Sequence, residues 1–587
     1  MRHAAAAGLL LGGIGAWAFG VSQLQPGAIG PYGVLAAAGP WFFLGLAALL
    51  GGALWELSRA RPSGWLLGGY LAALIVAIHA TVPIVYHGVP EYAWVYKHIG
   101  VAQEFGRYGR VTDTANIYQQ WPALFTAVAA VSSLAGVTPL TFAAWAPLAF
   151  ELADALLLLG VFRLLVADRR LPWLALLLYE GLVAWVGQDY LSPQAFGYLL
   201  WLGIVTVVVR WLLVPVPYRG RWRWVARARG FLLAGRPEPP AAAARQPGTP
   251  QRLTAVLLAA ALYFAIVAAH QLTPYLAIAG VAALALLGVL WRGWLLTLLL
   301  AVIAVAFLAP RYGLISQQFG GLFSGGDIFE NASGVSGIMH RAAEQRTGEV
   351  VHVLAGLMWL GAAVAIAARW RSLGRVAVPA VLAFSPFLIL GVQSYGGEAI
   401  YRVFLFSAPW CALLIAGLLL EPAGAEARAG AAWRRLLAAA ACAVALAAGL
   451  QGLYGPVAVD AFTPSELTAS RWLYDHAPPG SVIILAADNF PALEVANYAS
   501  YQLVVVPADP QYGAAWLDEG SVTDVEQWIG SLGHGGAYVV FSRSMAEYAG
   551  YFGYPQGYGQ LASVVRGRPS WQLVYRNPDV AIYHVTV

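Results

Sequence analysis

The stretch from His87 to Trp121 combines ionisable and aromatic side chains in a way that suits chemistry on a polar substrate. It lies between two long apolar runs and contains Glu91, Lys97, His98, Glu104, Arg107, Arg110 and Asp113 among Tyr92, Trp94, Tyr96, Tyr108 and Tyr118. A carboxylate can take a proton from a hydroxyl group, and a cation can hold a phosphate. Glu91 is the first candidate for a catalytic base, and Asp113 is an alternate. The candidates for substrate or phosphate binding in this stretch are Lys97 (the only lysine of the chain), His98, Tyr118 and Trp121.

Polar residues also collect at three other points where apolar runs end. They are Gln188, Asp189, Tyr190 and Gln194 in VGQDYLSPQ, then His270, Gln271 and Tyr275, and then Tyr395, Glu398, Tyr401 and Arg402 in SYGGEAIYRVF. Each group alone fits a solvated helix end, but all three are predicted on the same side of the membrane as Glu91. Asp189 is therefore a second alternate base. The further binding candidates are Gln188, Tyr190, Gln194, His270, Glu398, Tyr401 and Arg402.

The composition indicates a membrane protein. Of 587 residues, 60% are hydrophobic and only 11% are charged, whereas a soluble domain is typically about 25% charged. The net charge of +5 comes largely from Arg in short loops between apolar runs, so it reports topology rather than a nucleic-acid partner. Both cysteines, Cys411 and Cys442, lie inside apolar runs, so no disulfide framework is expected.

The apolar runs predict about thirteen transmembrane helices, because a span takes roughly 20 mostly apolar residues. The predicted spans are 8–24, 31–57, 63–86, 139–166, 171–187, 195–214, 253–269, 274–290, 294–310, 348–368, 376–393, 402–421 and 434–453. With a cytoplasmic N-terminus, the Arg-bearing loops fall inside and the loops 25–30, 188–194, 270–273 and 394–401 fall outside without Lys or Arg. The sequence thus predicts a multi-pass cell-membrane protein whose transmembrane domain, 1–453, carries outer loops at 87–138 and 311–347.

The segment from Trp121 to Gly136 is apolar but is predicted to lie on the outer leaflet. Counting it as a span would place Arg169 and Arg170 outside, against the rule that positive residues stay in the cytoplasm. We interpret it as an interfacial or re-entrant helix started by Pro122. Earlier in the same loop, Glu91, Trp94 and His98 are predicted to share one helical face. The second outer loop, 311–347, is rich in Gly and Ser and is expected to be mobile.

Several ionisable residues occur inside the predicted spans, where each costs at least a few kcal/mol. Glu151 and Asp154 share one face of the fourth span, with Glu151 ~15 Å from its outer end. His79 and Glu180 are expected at comparable depths in the third and fifth spans. A buried polar cluster joining these three helices is one interpretation, and a proton or substrate path is the other.

From Tyr454 onward the sequence is typical of a small soluble domain, 454–587, which the helix count places outside. Thr463, Pro464 and Glu466 form a capping-box pattern that opens a helix to about His476. Strands are predicted at 481–487, 501–506, 536–541, 571–576 and 580–586, with a helix near 522–532. The expected fold class is therefore a mainly α polytopic membrane protein with a C-terminal extracytoplasmic α/β domain.

The chain resembles the C-type glycosyltransferase (GT-C) superfamily of polytopic membrane enzymes. The resemblance rests on the long first outer loop with Glu91 shortly after a span, the Gln120-Trp121-Pro122 step into the next apolar run, the outer loop 311–347 and the C-terminal outer domain. VGQDYLSPQ and YGGEAIYR also look like stretches of actinobacterial membrane proteins of this kind. Two features differ: the superfamily's acidic residue is usually Asp, often paired, and two additional helices precede this loop. There is also no Trp-Trp-Asp-Tyr-Gly stretch, which disfavours the oligosaccharyltransferase branch.

The resemblance implies an inverting transfer of a sugar from a polyprenyl-phosphate donor to a glycan, lipid or protein acceptor on the outer side of the membrane. Membrane lipids are the other expected partners, and no nucleic acid is expected. The sequence assigns no metal ligands and implies no certain cofactor, although a divalent metal is compatible with this chemistry. The rival hypotheses are a transporter or lipid-linked-sugar flippase, which would use the intramembrane carboxylates, and a non-catalytic envelope assembly protein.

Overall fold

The computed structural model of the chain describes residues 2–186, 189–235, 247–319, 341–391, 399–420, 431–505, 522–523, 526–527, 529–530, 537–553 and 555–586. The predicted helix near 522–532 is described only at 522–523, 526–527 and 529–530, which are helical, and residues 320–340 of the loop 311–347 lie outside the described residues. The helices of eight or more residues are α1 (Arg2–Ser22), α2 (Pro40–Leu57), α3 (Gly64–His79), α4 (Ala93–Tyr108), α5 (Ala123–Ala135), α6 (Ala146–Leu165), α7 (Leu171–Val183), α8 (Pro193–Val207), α9 (Arg223–Leu232), α10 (Thr249–Ala269), α11 (Thr273–Leu287), α12 (Gly293–Leu308), α13 (Tyr312–Phe319), α14 (Ala342–Ala367), α15 (Ala377–Phe384), α16 (Ala399–Leu419), α17 (Ala431–Tyr454), α18 (Pro464–His476), α19 (Arg543–Tyr551) and α20 (Pro555–Val564).

The apolar helices follow the hydropathy of the sequence. Among the described residues, 8 helices are long and apolar enough to cross a membrane, and α3, α7, α11 and α15 belong to shorter apolar segments. α6 is 20 residues long and carries two carboxylates and an arginine. Each of the thirteen predicted spans therefore overlaps a helix, which confirms a mainly helical membrane protein. The number of crossings stays a prediction.

Two helices are shorter than the hydropathy predicts: α3 ends earlier and α6 begins later. α3 stops at His79 and a separate short helix, Thr81–Val85, follows it. α6 begins at Ala146 with Pro147 in its first turn, where a missing N–H costs no hydrogen bond. Glu151 is therefore only about 8 Å from the start of its helix at 1.5 Å per residue, rather than the predicted ~15 Å. His79 and Glu151 therefore lie near the ends of their helices.

α4 and α5 pack against each other in the loop after α3. α5 has 13 residues, too few for a ~30 Å hydrocarbon core, and it packs against α4. This length agrees with the predicted interfacial helix. The predicted shared face of Glu91, Trp94 and His98 is wrong, because α4 begins only at Ala93. Trp94 is also exposed while His98 is buried.

The C-terminal residues form a five-stranded sheet with its own hydrophobic core. β1 (Val482–Leu485), β2 (Gln502–Val505), β3 (Ala537–Ser542), β4 (Trp571–Arg576) and β5 (Val580–Val585) have the order β2-β1-β3-β5-β4. β1 is parallel to both β2 and β3, whereas β5 is antiparallel to its neighbours. All five strands were predicted, and so was the Thr463–Glu466 capping box of α18. α19 and α20 were not predicted.

The carboxyl ends of β1 and β3 face the part of the chain that contacts the loop with Glu91. β1 lies between its two parallel neighbours, β2 and β3. In open α/β sheets, ligand crevices form at the carboxyl ends of such strands. After β1, Asn489 donates its side-chain amide to the carbonyl of Val459 at 2.7 Å, and after β3, Arg543 donates to the carbonyl of Ala461 at 2.7 Å. A Cβ on Gly100 of α4 would lie 2.0 Å from the carbonyl oxygen of Leu493. The domain is therefore packed tightly against the membrane part.

Candidate active site

Glu91 lies at the junction of the loop with the C-terminal part of the chain. The residue after it, Tyr92, has a backbone φ of 66°, which is uncommon for a bulky residue, and its N–H donates to the carbonyl of Asp460 at 2.9 Å. Tyr96 donates its hydroxyl to the carbonyl of Pro90 at 2.8 Å. These two bonds hold the backbone on both sides of Glu91 and fix the position of its carboxyl group.

The surroundings of Glu91 favour its neutral form. Burial raises its pKa to about 8, and the nearby carboxylates of Asp460 and Asp189 act in the same direction. Burial also raises the pKa of Asp460 to about 7. A carboxyl with a pKa close to neutrality can accept and release a proton at physiological pH, which is what general acid–base catalysis requires. Glu91, the first candidate from the sequence, therefore has a pKa that suits a general base.

A row of rings runs from Glu91 along α4. The ring of Tyr92 lies 5.2 Å from that of Tyr190, and His98 stacks parallel to Tyr190 at 6.1 Å. Tyr118 lies 5.4 Å from His98, and the Lys97 ammonium lies 4.8 Å from the Tyr118 ring centre. The structure therefore brings together the predicted binding residues Lys97, His98, Tyr118 and Tyr190. Such a row offers flat apolar surface beside polar groups.

His98 is a neutral member of this row. Its Nδ1 lies 2.8 Å from the carbonyl oxygen of Leu191, so Nδ1 carries the proton and donates it. Burial lowers the pKa of His98 to about 4. Of the cations predicted to hold a phosphate, the structure therefore favours Lys97 and Arg402.

Lys97 points towards the C-terminal sheet. Burial lowers the pKa of its ammonium group, and the carboxylate of Asp488 opposes that shift. Asp488 lies three residues after the carboxyl end of β1. Lys97 therefore lies between the ring of Trp94, whose centre is 5.5 Å from Nζ, and an acidic group of the sheet.

Asp189 links Glu91 to a group of polar residues at the ends of α3 and α6. His79 Nδ1 lies 3.0 Å from Asp189 Oδ2, and ligand atoms of His79, Glu151 and Asp189 lie within 4.8 Å of one another. The adjoining cavity is lined by Phe150, Glu151, Asp154, Val183, Val186, Asp189, Ala195, Tyr198 and Leu405. The cavity is small: its volume of about 10 Å³ is enough for one water molecule or one ion.

Arg402 is buried in α16 and is not among the residues that line this cavity. Leu405, three residues further along the same helical face, does line it. Burial and the positive charge of Arg402 lower the pKa of His270 to about 3. His270 is therefore neutral, and its Nδ1 lies 2.9 Å from the Thr273 hydroxyl. Gln194 is buried in α8, and Tyr401 packs edge-on against Trp185.

Two predicted site residues lie elsewhere. Asp113 is exposed and accepts a hydrogen bond from the N–H of Ala115, as in a surface turn. Trp121 is buried against Phe307. Gln188 and Glu398 lie outside the described residues.

No sequence pattern singles out Asp460 or Asp488. Both belong to the C-terminal part of the chain, and neither belongs to a recognisable motif. Only the packing of the sheet against the loop brings them near Glu91 and Lys97. His79 was noted as a polar residue in a span, but its contact with Asp189 could not be predicted from spacing.

No protein-family model and no curated protein sequence matches this chain. Among solved structures, the archaeal oligosaccharyltransferase AglB from Archaeoglobus fulgidus, in complex with an inhibitory peptide and a dolichol-phosphate, aligns with a TM-score of 0.50. The match covers 90% of this chain and 74% of AglB at 12% sequence identity. This chain has the GT-C fold. The GT-C resemblance seen in the sequence is thereby confirmed for the fold, and identity this low does not assign a branch.

Two other GT-C structures match over similar lengths. ArnT from Cupriavidus metallidurans, bound to undecaprenyl phosphate, shares 14% identity over 89% of this chain and 98% of its own, with a TM-score of 0.45. The mycobacterial arabinofuranosyltransferase AftD shares 14% identity over 87% of this chain and 40% of its own, with a TM-score of 0.48. The group of residues around Glu91, described above, is the candidate active site.

Proposed function

We propose that this protein is a membrane glycosyltransferase that moves a sugar from a polyprenyl-phosphate carrier to an acceptor hydroxyl on the outer side of the membrane. The observation that carries the proposal is the position of Glu91. It is a half-buried carboxyl with a pKa of about 8, held where the first loop, Asp189 and the C-terminal part of the chain meet. The dolichol-phosphate in the AglB structure supports a lipid-linked donor for this fold.

Glu91 acts as the general base in this proposal. Its carboxylate takes the proton of the acceptor hydroxyl while the acceptor oxygen forms a bond to the anomeric carbon of the sugar. The bond from that carbon to the carrier phosphate breaks in the same step, and the released carrier keeps the phosphate. A single displacement of this kind inverts the anomeric centre. Asp189 is the alternate base because it is also an acidic residue of this site.

Arg402 and Lys97 are the proposed partners of the carrier phosphate. A guanidinium offers several N–H groups in a fixed plane and can bind two phosphate oxygens at once. Negative charge grows on the phosphate as the bond to the sugar breaks, so a nearby cation stabilises the transition state more than the ground state. Gln194, His270 and Tyr401 lie on the same or adjoining helix ends and would complete the binding surface.

The ring row from Tyr92 to Tyr118 is the proposed surface for the sugar or the first prenyl units. Tyrosine rings offer an apolar face with a hydroxyl at the edge, which suits a ligand with polar and apolar faces. Two acidic residues of the C-terminal part of the chain lie near this row: Asp460 acts on Glu91, and Asp488 acts on Lys97. An acceptor that enters there would reach Glu91 from the side of the sheet.

The proposal is tested with purified full-length protein and a panel of synthetic polyprenyl-phosphate sugars. Release of free polyprenyl phosphate in the presence of acceptor extracts measures transfer, and binding of plain polyprenyl phosphate measures the carrier site. We expect Glu91→Gln to bind the carrier as the wild type does while transfer stops. Full transfer activity in a folded Glu91→Gln protein would reject Glu91 as the base. Carrier binding too weak to detect in the wild type would reject the proposed donor.

A further inference from the structure

We propose that residues 218–235, the basic segment that contains α9, bind one anionic phospholipid at the end of the molecule away from Glu91. The segment carries five arginines and no acidic residue, and no residue of α9 is buried. It is bonded to Gly288 at the end of α11, whereas α11 begins next to His270 of the candidate active site. The two sites are therefore about 20 Å apart along α11, and the inference does not rest on the proposed function.

Hydrogen bonds to backbone carbonyls fix the position of α9. The N–H of Tyr218 donates to the carbonyl of Gly288 at 2.9 Å. The guanidinium of Arg229 donates to the carbonyl of Leu286 at 2.8 Å and to that of Tyr218 at 3.0 Å. Gly288 has a backbone φ of 79°, and a Cβ there would lie 2.7 Å from the carbonyl oxygen of Tyr218. α9 is therefore held against the end of α11 although its own apolar side chains stay exposed.

A groove with a volume of about 590 Å³ lies between α9 and the membrane helices. Trp222 and Trp224 line it on the side of α9, and Leu286 of α11 and Trp294 of α12 line it on the other side. These four side chains are 54–69% exposed. Every lining residue in the described part of the chain is apolar, a glycine or an arginine. A groove of this size and lining suits an apolar chain with an acidic end.

The groove continues into an exposed apolar stripe on α12. Trp294, Leu298, Val302 and Val305 recur at helical spacing and are 54–65% exposed. α12 belongs to one of the described segments that are long and apolar enough to cross a membrane, so this stripe faces lipid chains. An acyl chain in the groove would follow the stripe into the bilayer. A soluble partner protein could not, and the structure therefore favours a lipid as the occupant.

The arginines of the segment supply the contact with a lipid headgroup. Arg221, Arg223 and Arg227 are exposed, and none of them forms an ion pair with another described residue. Arg221 also lines the groove, next to Trp222. A guanidinium can bind two phosphate oxygens at once. The phosphate of a lipid whose chain lies in the groove would meet these arginines.

Arginine–tryptophan pairs mark the level of the membrane surface at this end of the molecule. Arg292 lies 5.1 Å from the ring centre of Trp291. Further pairs of this kind, all at helix ends that the sequence predicts to be cytoplasmic, are Arg59–Trp55, Arg163–Trp173, Arg210–Trp211, Arg371–Trp370 and Arg434–Trp433. Tryptophan is enriched at the membrane interface, where arginine reaches the headgroups. α9 is bonded to Gly288, three residues before Trp291, so it lies at the level of the headgroups.

The experiment counts the lipids that full-length protein binds. Protein purified in a mild detergent is titrated with phosphatidylglycerol or with phosphatidylcholine of the same acyl chains, and native mass spectrometry measures the first bound lipid. The two lipids differ in headgroup charge, so their comparison isolates the contribution of the arginines. Each arginine near an anionic lipid strengthens binding about fivefold, and we expect phosphatidylglycerol to bind at least about tenfold more tightly than phosphatidylcholine.

The triple variant Arg221→Gln, Arg223→Gln and Arg227→Gln should lose this preference. Arg229 is kept because its hydrogen bonds hold α9 in place. A second variant, Leu286→Trp, narrows the groove without changing the charge. It should weaken the binding of both lipids, because the acyl chain is the part that it excludes.

The matched control removes the same charge elsewhere at the predicted cytoplasmic end. Arg61→Gln, Arg169→Gln and Arg435→Gln together replace three other exposed arginines, which lie outside the groove. This control should keep the preference for phosphatidylglycerol. Size-exclusion profiles confirm that each variant folds, and the comparison of the two lipids on the wild type depends on no variant.

Three results would overturn the inference. The first is equal affinity of the wild type for the two lipids, and the second is a preference that survives in the triple variant of α9. The third is an equal loss of preference in the control, which would show diffuse attraction by the net charge rather than a site. Binding of a polyglutamate peptide in place of the lipid, lost in the same triple variant, would assign the surface to a soluble acidic partner and likewise reject a lipid site.

Discussion

Glu91 is a carboxyl whose usefulness as a base depends on pH. Its pKa of about 8 leaves it mostly protonated at pH 7, and only the ionised form can accept a proton from an acceptor. The value of kcat/KM reports the free enzyme, so it should rise about tenfold per pH unit below pH 8 and level off above. Initial rates between pH 6 and 9.5 in metal-free buffer check this. A flat profile over that range would show that Glu91 does not control the reaction.

Arg402 is the residue on which carrier binding should depend most. Removing a charged hydrogen-bond partner of the phosphate should weaken binding by about 1.5–3 kcal/mol. Arg402→Ala is compared with the wild type for binding of polyprenyl phosphate. Arg163→Ala is the control, because Arg163 stacks on Trp173 near the opposite end of α6 at 5.2 Å. Equal affinity of Arg402→Ala and the wild type would place the phosphate site elsewhere.

For the single residues of the site, the sequence predicted which side chains are candidates but not their surroundings. Glu91, Asp189 and Arg402 could be selected because ionisable groups next to apolar runs are costly and need a reason. The neutral state of His98 follows from its burial, and its tautomer follows from one carbonyl contact; the spacing of residues encodes neither. Asp460 could not be selected, since its approach to Glu91 depends on how the C-terminal part of the chain packs.

α4 is the element that joins the membrane part to the C-terminal sheet. A methyl group on Gly100 would collide with the carbonyl oxygen of Leu493, whereas one on Gly106 would meet only Ala129 at 3.8 Å. We expect Gly100→Ala to destabilise the protein by about 1–3 kcal/mol, the usual cost of overpacking. Gly106→Ala should be neutral or stabilising, because alanine favours a helix.

Thermal unfolding of both variants, with limited proteolysis of the C-terminal part, measures this difference. The destabilisation should be accompanied by faster cleavage after residue 454 in Gly100→Ala alone. Similar melting temperatures and cleavage rates in the two variants would contradict the close packing of α4 on the segment around Leu493.

The elements themselves were largely predictable. Apolar runs located the long apolar helices, because a run of roughly 20 apolar residues favours a helix that spans a bilayer. The alternating strands and the capping box of the C-terminal domain were likewise local signals. The breaks at His79 and Ala146 were missed, since the apolar run continues through them. Because of those breaks, His79 and Glu151 lie near the ends of their helices.

For the whole molecule, the proposed reaction requires Glu91 and the C-terminal domain to lie outside the cell. The Arg-bearing loops motivate this orientation. Ser465→Cys in α18 and Tyr218→Cys in the basic loop before α9 should therefore react with an impermeant maleimide from opposite sides. The native cysteines are both buried and give little background. Labelling of both positions from the same side of intact cells would reject the topology.

The decisive measurement is a structure of the full-length protein in nanodiscs with added polyprenyl phosphate. We expect the phosphate within hydrogen-bond distance of Arg402 or Lys97, with the oxygen that would carry the sugar facing Glu91 and the prenyl chain leaving between helices. A phosphate bound away from both cations, or a site that stays empty at saturating carrier, would contradict the proposed reaction.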